Sequence, residues 1–211
     1  MANRSADERR AELVELYRYL RDEHDCPLKA GRRKLVFGAG NANADIMFVG
    51  EAPGAQEDET GLPFVGRAGQ LLAKLLGEIG LERKDVFINN TLMCRPPGNR
   101  DPLPEEIEEC KPYLLKRIEL VEPKVICTLG NYATKLLTGN PTGITRAHGV
   151  PQPRDVGGRS VVLYPLYHPA AALRSTGVLE ELREDIHRLP QLIAEHVSTP
   201  EPDEEQLGLF G

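Results

Sequence analysis

An aromatic residue occupies an unusual place in the segment VGEAPGAQEDETGLPFVGRAGQLL, residues 49–72. Phe64 lies between a Gly-Leu-Pro turn and a Val-Gly pair, in a stretch that also carries several carboxylates. A core aromatic normally belongs to a periodic helix or strand, whereas a ring in a stiffened loop can offer its face to another flat ring. The segment therefore predicts a ring-binding pocket.

Two polar side chains in other segments could serve such a pocket. Asn90, in INNTLMC, carries an amide whose donor and acceptor can read the edge of a base, although a lone Asn can also satisfy its own turn. His168, in YHPAAALRS, stands directly before Pro169, which disfavours helical geometry and leaves the imidazole at a stiff junction. There it could donate or accept a proton, or be an ordinary surface histidine.

The cysteines suggest a second site. Cys94 and Cys110 are sixteen residues apart and are separated by a proline-rich loop, and Cys26 near the N-terminus is a natural third ligand for a metal or an iron-sulfur cluster. Separate buried thiols are the alternative. Cys127 lies in the apolar segment VICTLG and is expected to be a small core residue.

Short apolar runs alternate with amphipathic segments along the chain. We predict strands at 46–49, 86–88, 125–129 and 161–164, and helices at 7–22, 67–79, 104–120, 131–137 and 179–196. This alternation predicts an α/β fold, a three-layer α/β/α sandwich around a central four-stranded, mainly parallel sheet.

The fold class predicts where these side chains meet. In parallel sheets, ligands bind beyond the carboxyl ends of the strands. The segment from Glu51 to Phe64 follows the first strand, Asn90 follows the second, and His168 follows the fourth. We therefore expect three distant loops to converge on one crevice.

Composition and charge limit the function less than the motifs do. The net charge is −6, but five acids and no Lys or Arg follow residue 194, so the remainder of the chain is near −1 and charge neither requires nor excludes a nucleic-acid partner. No apolar run of membrane-spanning length and no secretory segment occur, which favours a cytoplasmic protein without a membrane partner. Structural disulfides are not expected in that compartment.

Four segments in this order resemble the family 4 uracil-DNA glycosylases, the iron-sulfur type. They are GEAPG followed by ED at 50–58, GLPFVGRAGQLL at 61–72, NNTLMCRPPGNRDP at 89–102 and HPAAALRS at 168–175. The resemblance runs from about residue 10 to residue 195. It implies a monofunctional DNA repair enzyme with that family's fold, which hydrolyses the N-glycosidic bond of deoxyuridine in single- or double-stranded DNA and leaves an abasic site.

The resemblance also implies roles for the residues singled out above. Phe64 would stack on the flipped uracil and Asn90 would read its edge, with the backbone of Ala52 and Pro53 bordering the base. His168 would bind the uracil O2 and stabilise the developing anion. Glu51 would orient or activate the attacking water, although Glu57 and Asp58 are close in sequence and could approach the same water. Further along, the loop at Arg174 and Ser175 would contact the DNA.

The implied [4Fe-4S] cluster is where the sequence departs from the family. Cys26, Cys94 and Cys110 match three ligands, but the first cysteine of the usual Cys-x-x-Cys pair is replaced by Glu23. The fourth ligand is therefore open between Glu23, His24, Asp25 and no protein side chain.

The C-terminal segment differs in character from the rest. We predict a glycosylase domain over residues 1–197 and a flexible acidic tail over 198–211. The tail ends in QLGLF, which resembles the peptides that dock on the sliding clamp, with the contacts made by Gln206, Leu207, Leu209 and Phe210. The alternative is a simple apolar chain end. We expect a monomer that associates with the nucleoid.

Two rival functions remain at this stage. The same scaffold includes members that act on other deaminated bases or bind uracil covalently, although the covalent type carries a basic, His-containing insertion where this chain has only RPPGNRDPLPEEIEE. A non-catalytic iron-sulfur or redox-sensing module that binds nucleic acid would need the cysteines but neither His168 nor Asn90.

Overall fold

A computed structural model describes residues 4–197, and the clamp-like peptide at 206–210 therefore lies outside the described residues. In chain order the strands are β1 (Ala39–Gly40), β2 (Ile46–Gly50), β3 (Phe87–Asn90), β4 (Val125–Leu129), β5 (Gln152–Val156) and β6 (Arg159–Leu166). The α-helices are α1 (Ala6–Asp22), α2 (Ala55–Thr60), α3 (Arg67–Glu78), α4 (Pro104–Val121), α5 (Asn131–Thr138), α6 (Ile144–Ala147), α7 (Pro169–Ala172), α8 (Thr176–His187) and α9 (Leu189–Val197).

Within residues 4–197 the strands form one six-stranded sheet in the order β1-β3-β2-β4-β6-β5. The four central strands are parallel, and the two edge strands β1 and β5 are antiparallel to their neighbours. The parallel strands are the four that the sequence predicts. Because they point the same way, the loops that follow them meet at one edge of the sheet.

Helices cover both faces of the sheet. Along β2, Met47 and Val49 face one layer, which includes α1, α4 and α5, while Ile46 and Phe48 face the other, which includes α3, α8 and α9. This alternation follows from the two-residue period of a strand, and both faces are apolar because both are buried. The predicted three-layer α/β/α sandwich is confirmed.

The sheet is two strands wider than predicted. The residues of β5 are mostly exposed and polar, and β1 is only two residues long, so neither produces the apolar run by which a strand is recognised. Polar and short edge strands also resist pairing with other chains.

The last predicted helix is two helices. The segment 179–196 is divided into α8 and α9 around Arg188, and Pro190 stands at the second position of α9. A proline lacks the amide donor that a continuing helix needs, and it is tolerated in a first turn. In the described part of the chain, no helix has the length and apolar character needed to cross a membrane.

Candidate active site

A cavity of about 280 Å³ opens beyond the carboxyl ends of the central strands. Five residues selected from the sequence line it: Ala52, Pro53, Phe64, Asn90 and His168. They come from the C-terminal end of β3 and from the segments that follow β2 and β6, so the structure brings distant parts of the chain to one crevice. The other lining residues are Gly54, Glu57, Ala68, Asn99 and Ala170.

The loop conformation of Phe64 is fixed by its neighbours. Its backbone has a φ of 53°, in the left-handed region, and its ring is buried at 6% exposure. Arg83 donates hydrogen bonds to the carbonyls of Phe64, at 2.8 Å, and Pro63, at 2.6 Å. A Cβ on Gly69 would lie 1.7 Å from the Phe64 carbonyl oxygen, so only glycine allows helix α3 to pack this closely. The backbone at Phe64 is thus held in a left-handed conformation that costs about 1–3 kcal/mol.

Asn90 is the last residue of β3, and its side chain is 1% exposed. Among the described residues, no donor forms a hydrogen bond with its Oδ1. Gly50 leaves the space that this amide occupies, because a Cβ there would lie 2.3 Å from Asn90 Oδ1 and 2.7 Å from Phe64 Cζ. A buried, unpartnered amide oxygen carries a desolvation cost that a ligand donor would remove.

His168 caps the short helix α7. Its Nδ1 accepts a hydrogen bond from the Ala170 amide at 3.1 Å, so the ring proton of the neutral imidazole lies on Nε2. Burial lowers the pKa of His168 to about 4, against an opposing effect of the Glu57 carboxylate. The ring is therefore neutral at pH 7. It lies 5.7 Å from the Phe64 ring, centroid to centroid, at an angle of 34°.

Three acidic residues after β2 are the candidates for orienting the attacking water, and the structure places them differently. Glu57 lines the cavity, and its Oε1 accepts from the amides of Val65 at 2.9 Å and Gly66 at 2.8 Å. Asp58 is 3% exposed and accepts from the Arg33 amide at 2.9 Å. Its carboxylate is thus bonded to the backbone at Arg33, and Asp58 is not among the residues that line the cavity.

Glu51 is the one predicted cavity residue that does not line the cavity. It is partly buried, and desolvation, together with the negative charge of Asp101, raises the pKa of its carboxyl. The backbone around it is fixed, because the Leu92 amide donates to the Glu51 carbonyl at 2.9 Å.

Of the polar residues that line the cavity, Asn99 was not selected from the sequence, and Glu57 was named only as an alternative to Glu51 for the attacking water. Asn99 has a φ of 55° and accepts from Arg95 Nε at 2.6 Å. The sequence indicates only that Glu57 and Asn99 follow β2 and β3. That position is shared by neighbouring polar residues, so it does not show which of them lines the cavity.

The predicted DNA-contact residues lie directly after α7. Arg174 is exposed, and Ser175 caps α8 by accepting from the Val178 amide at 3.4 Å. Leu173 is 41% exposed beside them. Ser175 thus has a structural role as a cap, and a DNA contact by either residue stays a prediction.

Three of the four buried cysteines meet. The Cys26 sulfur is within hydrogen-bond reach of the Cys94 and Cys110 thiols, and these bonds lower the pKa of Cys26 and raise those of the other two. Arg32 Nη1 lies 3.6 Å from Cys94 Sγ. Cys127 is buried in the opposite layer of the core, as the sequence suggested.

Across residues 4–197, no group of three or more His, Cys, Asp or Glu side chains has the spacing to hold a metal ion. Of the three residues proposed to complete the set, Glu23 and Asp25 are exposed and His24 is 7% exposed. The His24 Nδ1 lies 3.2 Å from the Tyr113 hydroxyl, and its Nε2 lies 3.3 Å from Glu109 Oε1.

The fold is that of a uracil-DNA glycosylase, with this sheet order and a cavity at the carboxyl edge of the sheet. The chain belongs to the uracil DNA glycosylase superfamily, whose family profile matches residues 37–188. Within that superfamily it is similar to proteins named type-4 uracil-DNA glycosylase, which confirms the resemblance seen in the sequence. The relative from Archaeoglobus fulgidus is 41% identical over 184 residues, covering 85% of this chain and 92% of the relative. Those from Thermotoga maritima and Sulfurisphaera tokodaii are 45% and 44% identical, covering 80% and 79% of this chain and 88% and 78% of the relatives.

Proposed function

We propose that this chain is a uracil-DNA glycosylase of base excision repair, which hydrolyses the N-glycosidic bond of deoxyuridine in DNA, releases uracil and leaves an abasic site. The observation that carries the proposal is the meeting of Phe64, Asn90 and His168 around one cavity. At about 280 Å³ the cavity is at the small end of ligand sites, which suits one base flipped out of the helix.

The cavity offers uracil a stacking face and a reading edge. Phe64 would lie against the pyrimidine ring, while Ala52 and Pro53 border it. Asn90 Oδ1, which has no donor among the described residues, would accept from uracil N3–H, and Nδ2 would donate to O4. Cytosine presents an acceptor at N3 and an amine at C4, so its pattern is reversed and both bonds are lost.

His168 would stabilise the leaving group. As the N-glycosidic bond breaks, negative charge develops on the uracil ring and its oxygens. A neutral imidazole with its proton on Nε2 is a fixed donor for O2, and its position on a capped helix requires no reorganisation. The low pKa of His168 favours this donor role over general acid catalysis.

Glu51 is our candidate for orienting the attacking water. Its raised pKa indicates a poorly solvated carboxyl, next in sequence to the lining residue Ala52, while Asp58 is already bonded to the Arg33 amide. Glu57 lines the cavity, but its Oε1 is engaged by two backbone amides, which suits a fixed wall better than a mobile base.

The Glu51→Gln variant is expected to lower kcat for uracil release by about 10²-fold, the scale of a misplaced reacting group. The matched Asp58→Asn variant should keep near wild-type kcat and lose thermal stability, because it weakens the bond to the Arg33 amide. Single-turnover excision of a uracil oligonucleotide measures both. The opposite pattern would assign the water to Asp58.

DNA contacts are proposed for the loop after α7. The Arg174 guanidinium and the Ser175 hydroxyl would contact phosphate or the minor groove, in single- or double-stranded DNA. The exposed Leu173 beside them is an apolar group of the kind that separates stacked bases.

A [4Fe-4S] cluster is proposed as the cofactor, with Cys26, Cys94 and Cys110 as ligands. Their thiols are close enough to shift one another's pKa values, and thiolate sulfur is the donor that such clusters use. Cys127 belongs to the other layer of the core and is a poor candidate for the missing ligand, so the fourth position stays open between Glu23, His24, Asp25 and no side chain. When bound, the cluster would cross-link the N-terminal segment, the loop after β3 and helix α4.

The purified protein is expected to contain iron and inorganic sulfide and to absorb in a broad band at roughly 400 nm, as thiolate-bound iron does. Cys26→Ser should abolish the band, since it removes the thiol that contacts both others. Cys127→Ser, in the opposite layer, should retain it. A colourless, iron-free protein with full activity would remove the cluster from the proposal.

The decisive test of the function is uracil release from a labelled oligonucleotide. We expect excision of uracil, with hypoxanthine, xanthine and thymine lesions in competition cut far more slowly. Preferential release of another base would indicate the altered-specificity alternative, and a stable protein-DNA adduct would indicate the covalent one. Binding without release, unaffected by changes at His168 and Asn90, would indicate a non-catalytic module.

Cellular partners follow from this function. A cytoplasmic, nucleoid-associated monomer is proposed. Docking on the sliding clamp through Gln206, Leu207, Leu209 and Phe210 stays a prediction, because these residues lie outside the described part of the chain. Failure of a peptide spanning 200–211 to bind the clamp would exclude it.

A further inference from the structure

The segment that carries His168 packs against a second histidine. His168 follows the end of β6, and Tyr167 precedes it. The His148 ring lies 4.4 Å from the Tyr167 ring, centroid to centroid, at an angle of 37°. His168 itself has little room to move, because a Cβ on Gly130 would lie 3.1 Å from the His168 Cβ. Neither His148 nor Tyr167 is among the residues that line the cavity.

A buried carboxylate holds the His148 ring. Its Nδ1 lies 2.8 Å from Oδ2 of Asp185 in α8, and Asp185 is 3% exposed. An ionised carboxylate can only accept, so Nδ1 carries the ring proton and donates to it. Gly149 makes this approach possible, because a Cβ there would lie 2.3 Å from Asp185 Oδ1, and its φ of 68° is in the left-handed region. The turn after α6 is therefore shaped around the Asp185 carboxylate.

Hydrogen bonds connect the same elements to β6. The Tyr164 hydroxyl donates to the Asp185 carbonyl at 3.0 Å, and the Gly149 amide donates to the Pro165 carbonyl at 2.9 Å. Both bonds reach the last turn of chain before His168. Helix α8, the turn at 148–149 and the end of β6 thus form one connected unit.

The negative charge of Asp185 disfavours the folded state. Desolvation raises the pKa of Asp185 above its usual value, although His148 and Arg188 act in the opposite direction. Arg188 Nη1 lies 3.6 Å from Asp185 Oδ1, and its side chain is largely exposed. A carboxyl whose pKa is raised by folding makes its ionised form less stable in the folded protein. Because apolar residues often replace a buried ion pair at no cost in stability, the pair is better explained by what it positions.

We propose that Asp185 and His148 are positioning residues for the glycosylase reaction. Asp185 holds the His148 ring against Tyr167, and this contact fixes the end of β6 from which His168 reaches the uracil. A displacement of about 1 Å in a reacting group can cost about 10²-fold in rate, so loss of this support reduces turnover. The inference rests on the proposed function, in which His168 stabilises the charge that develops on the leaving base.

Asp185→Leu tests the inference, because it removes the anchor and leaves an apolar side chain of similar size. We expect kcat for uracil release to fall by about 10-fold with KM nearly unchanged, since His168 acts on the transition state. The thermal unfolding midpoint should equal or exceed that of the wild type. Adding His148→Phe should restore kcat to within about 2-fold, because an apolar ring can pack on both the new leucine and Tyr167.

His187→Phe is the matched control. His187 is also part of a histidine-carboxylate pair on α8, with Nε2 at 3.3 Å from Oε2 of Glu78, but its partner belongs to α3. This change should leave kcat at the wild-type level.

The position of His168 can also be followed without substrate. In NMR spectra of protein with isotope-labelled histidine, the imidazole signal of His168 is assigned by its loss in His168→Ala. We expect this signal to move in Asp185→Leu, to return towards its wild-type position in the double variant, and to stay in place in His187→Phe.

Each outcome supports or overturns the proposal. Wild-type kcat in Asp185→Leu, or a double variant as slow as the single one, would overturn it. A fall in the midpoint that accounts for the fall in kcat would show a merely structural pair and overturn it as well. If the wild-type protein releases no uracil, the proposed function fails, and the NMR signal still decides whether the pair positions His168.

A second pair of variants decides if Asp185→Leu does not fold. His148→Ala and His148→Phe both remove the imidazole from Asp185, but only the phenylalanine keeps a ring against Tyr167. A kcat about 10-fold lower in the alanine variant supports the proposal, whereas equal values of kcat overturn it.

Discussion

Replacing His168 by alanine is expected to lower kcat for uracil release by about 10²–10³-fold, the scale of a lost oxyanion donor. The physical reason is the position of the Nε2 proton, which is fixed because Nδ1 accepts from the Ala170 amide. The interaction strengthens only as charge develops on the uracil, so binding of uracil-containing DNA should change little. Steady-state kinetics and equilibrium binding of the same oligonucleotide measure the two quantities separately.

The control for this change is His187→Ala. His187 is an exposed residue of α8 whose Nε2 lies 3.3 Å from Glu78 Oε2, away from the residues that line the cavity. Its replacement should leave both kcat and binding at wild-type levels. Equal losses of turnover and affinity in His168→Ala would contradict a role confined to the transition state.

The pH dependence follows from the same residue. Because burial lowers the pKa of His168 to about 4, excision should show no inflection from this group between about pH 5 and 8. In the unfolded chain the pKa of a histidine is about 6.5. Between these two pKa values the unfolded state binds more protons at His168 than the folded state does. The contribution of His168 therefore lowers the free energy of unfolding as the pH falls from about 6.5 to about 4. The free energy of unfolding, measured by denaturant titration at a series of pH values, should lose this part of its pH dependence in His168→Ala.

The sequence predicted the parallel core of the fold because burial on both faces leaves a visible apolar run. It also selected five of the residues that line the cavity, since the rule that ligands bind beyond strand ends points to particular segments of the chain. Phe64 was the clearest case, because an aromatic residue in a glycine-rich loop conflicts with core packing. The structure adds what holds it there, namely Arg83 and the contact with Gly69.

Other features had no sequence signal. Helix α2, with the sequence AQEDET, has no apolar face, so nothing separated the cavity-lining Glu57 from the neighbouring Asp58. Arg117 appears in the sequence as a polar position of an amphipathic helix, and only the tertiary structure shows that it is buried. Glu51 was selected from its motif, yet it is not among the residues that line the cavity, and its carboxyl is close enough to Asp101 for that charge to raise its pKa. These features depend on tertiary contacts between distant segments, which local patterns do not encode.

The largest effect is expected from Asn90→Asp. The change replaces the Nδ2 donor with a second acceptor, so the carboxylate would face uracil O4 without a proton between them. A site built to hydrogen-bond its substrate rejects a mismatched partner by about 10⁴-fold, because the groups left unpaired are buried. We expect kcat/KM for uracil to fall by about that factor, measured by single-turnover excision.

Asn89 provides the control that separates recognition from folding. It precedes Asn90 in β3, is 0% exposed, and has its side chain on the opposite face, where Nδ2 lies 3.5 Å from Met47 Sδ. Asn89→Asp introduces the same buried charge into the same strand and should lower the unfolding midpoint at least as much as Asn90→Asp does. Because Asn89 is not among the residues that line the cavity, the folded fraction should retain excision. A comparable loss of kcat/KM in both variants, after correction for folded protein, would mean that the strand tolerates no charge and that Asn90 does not read the base.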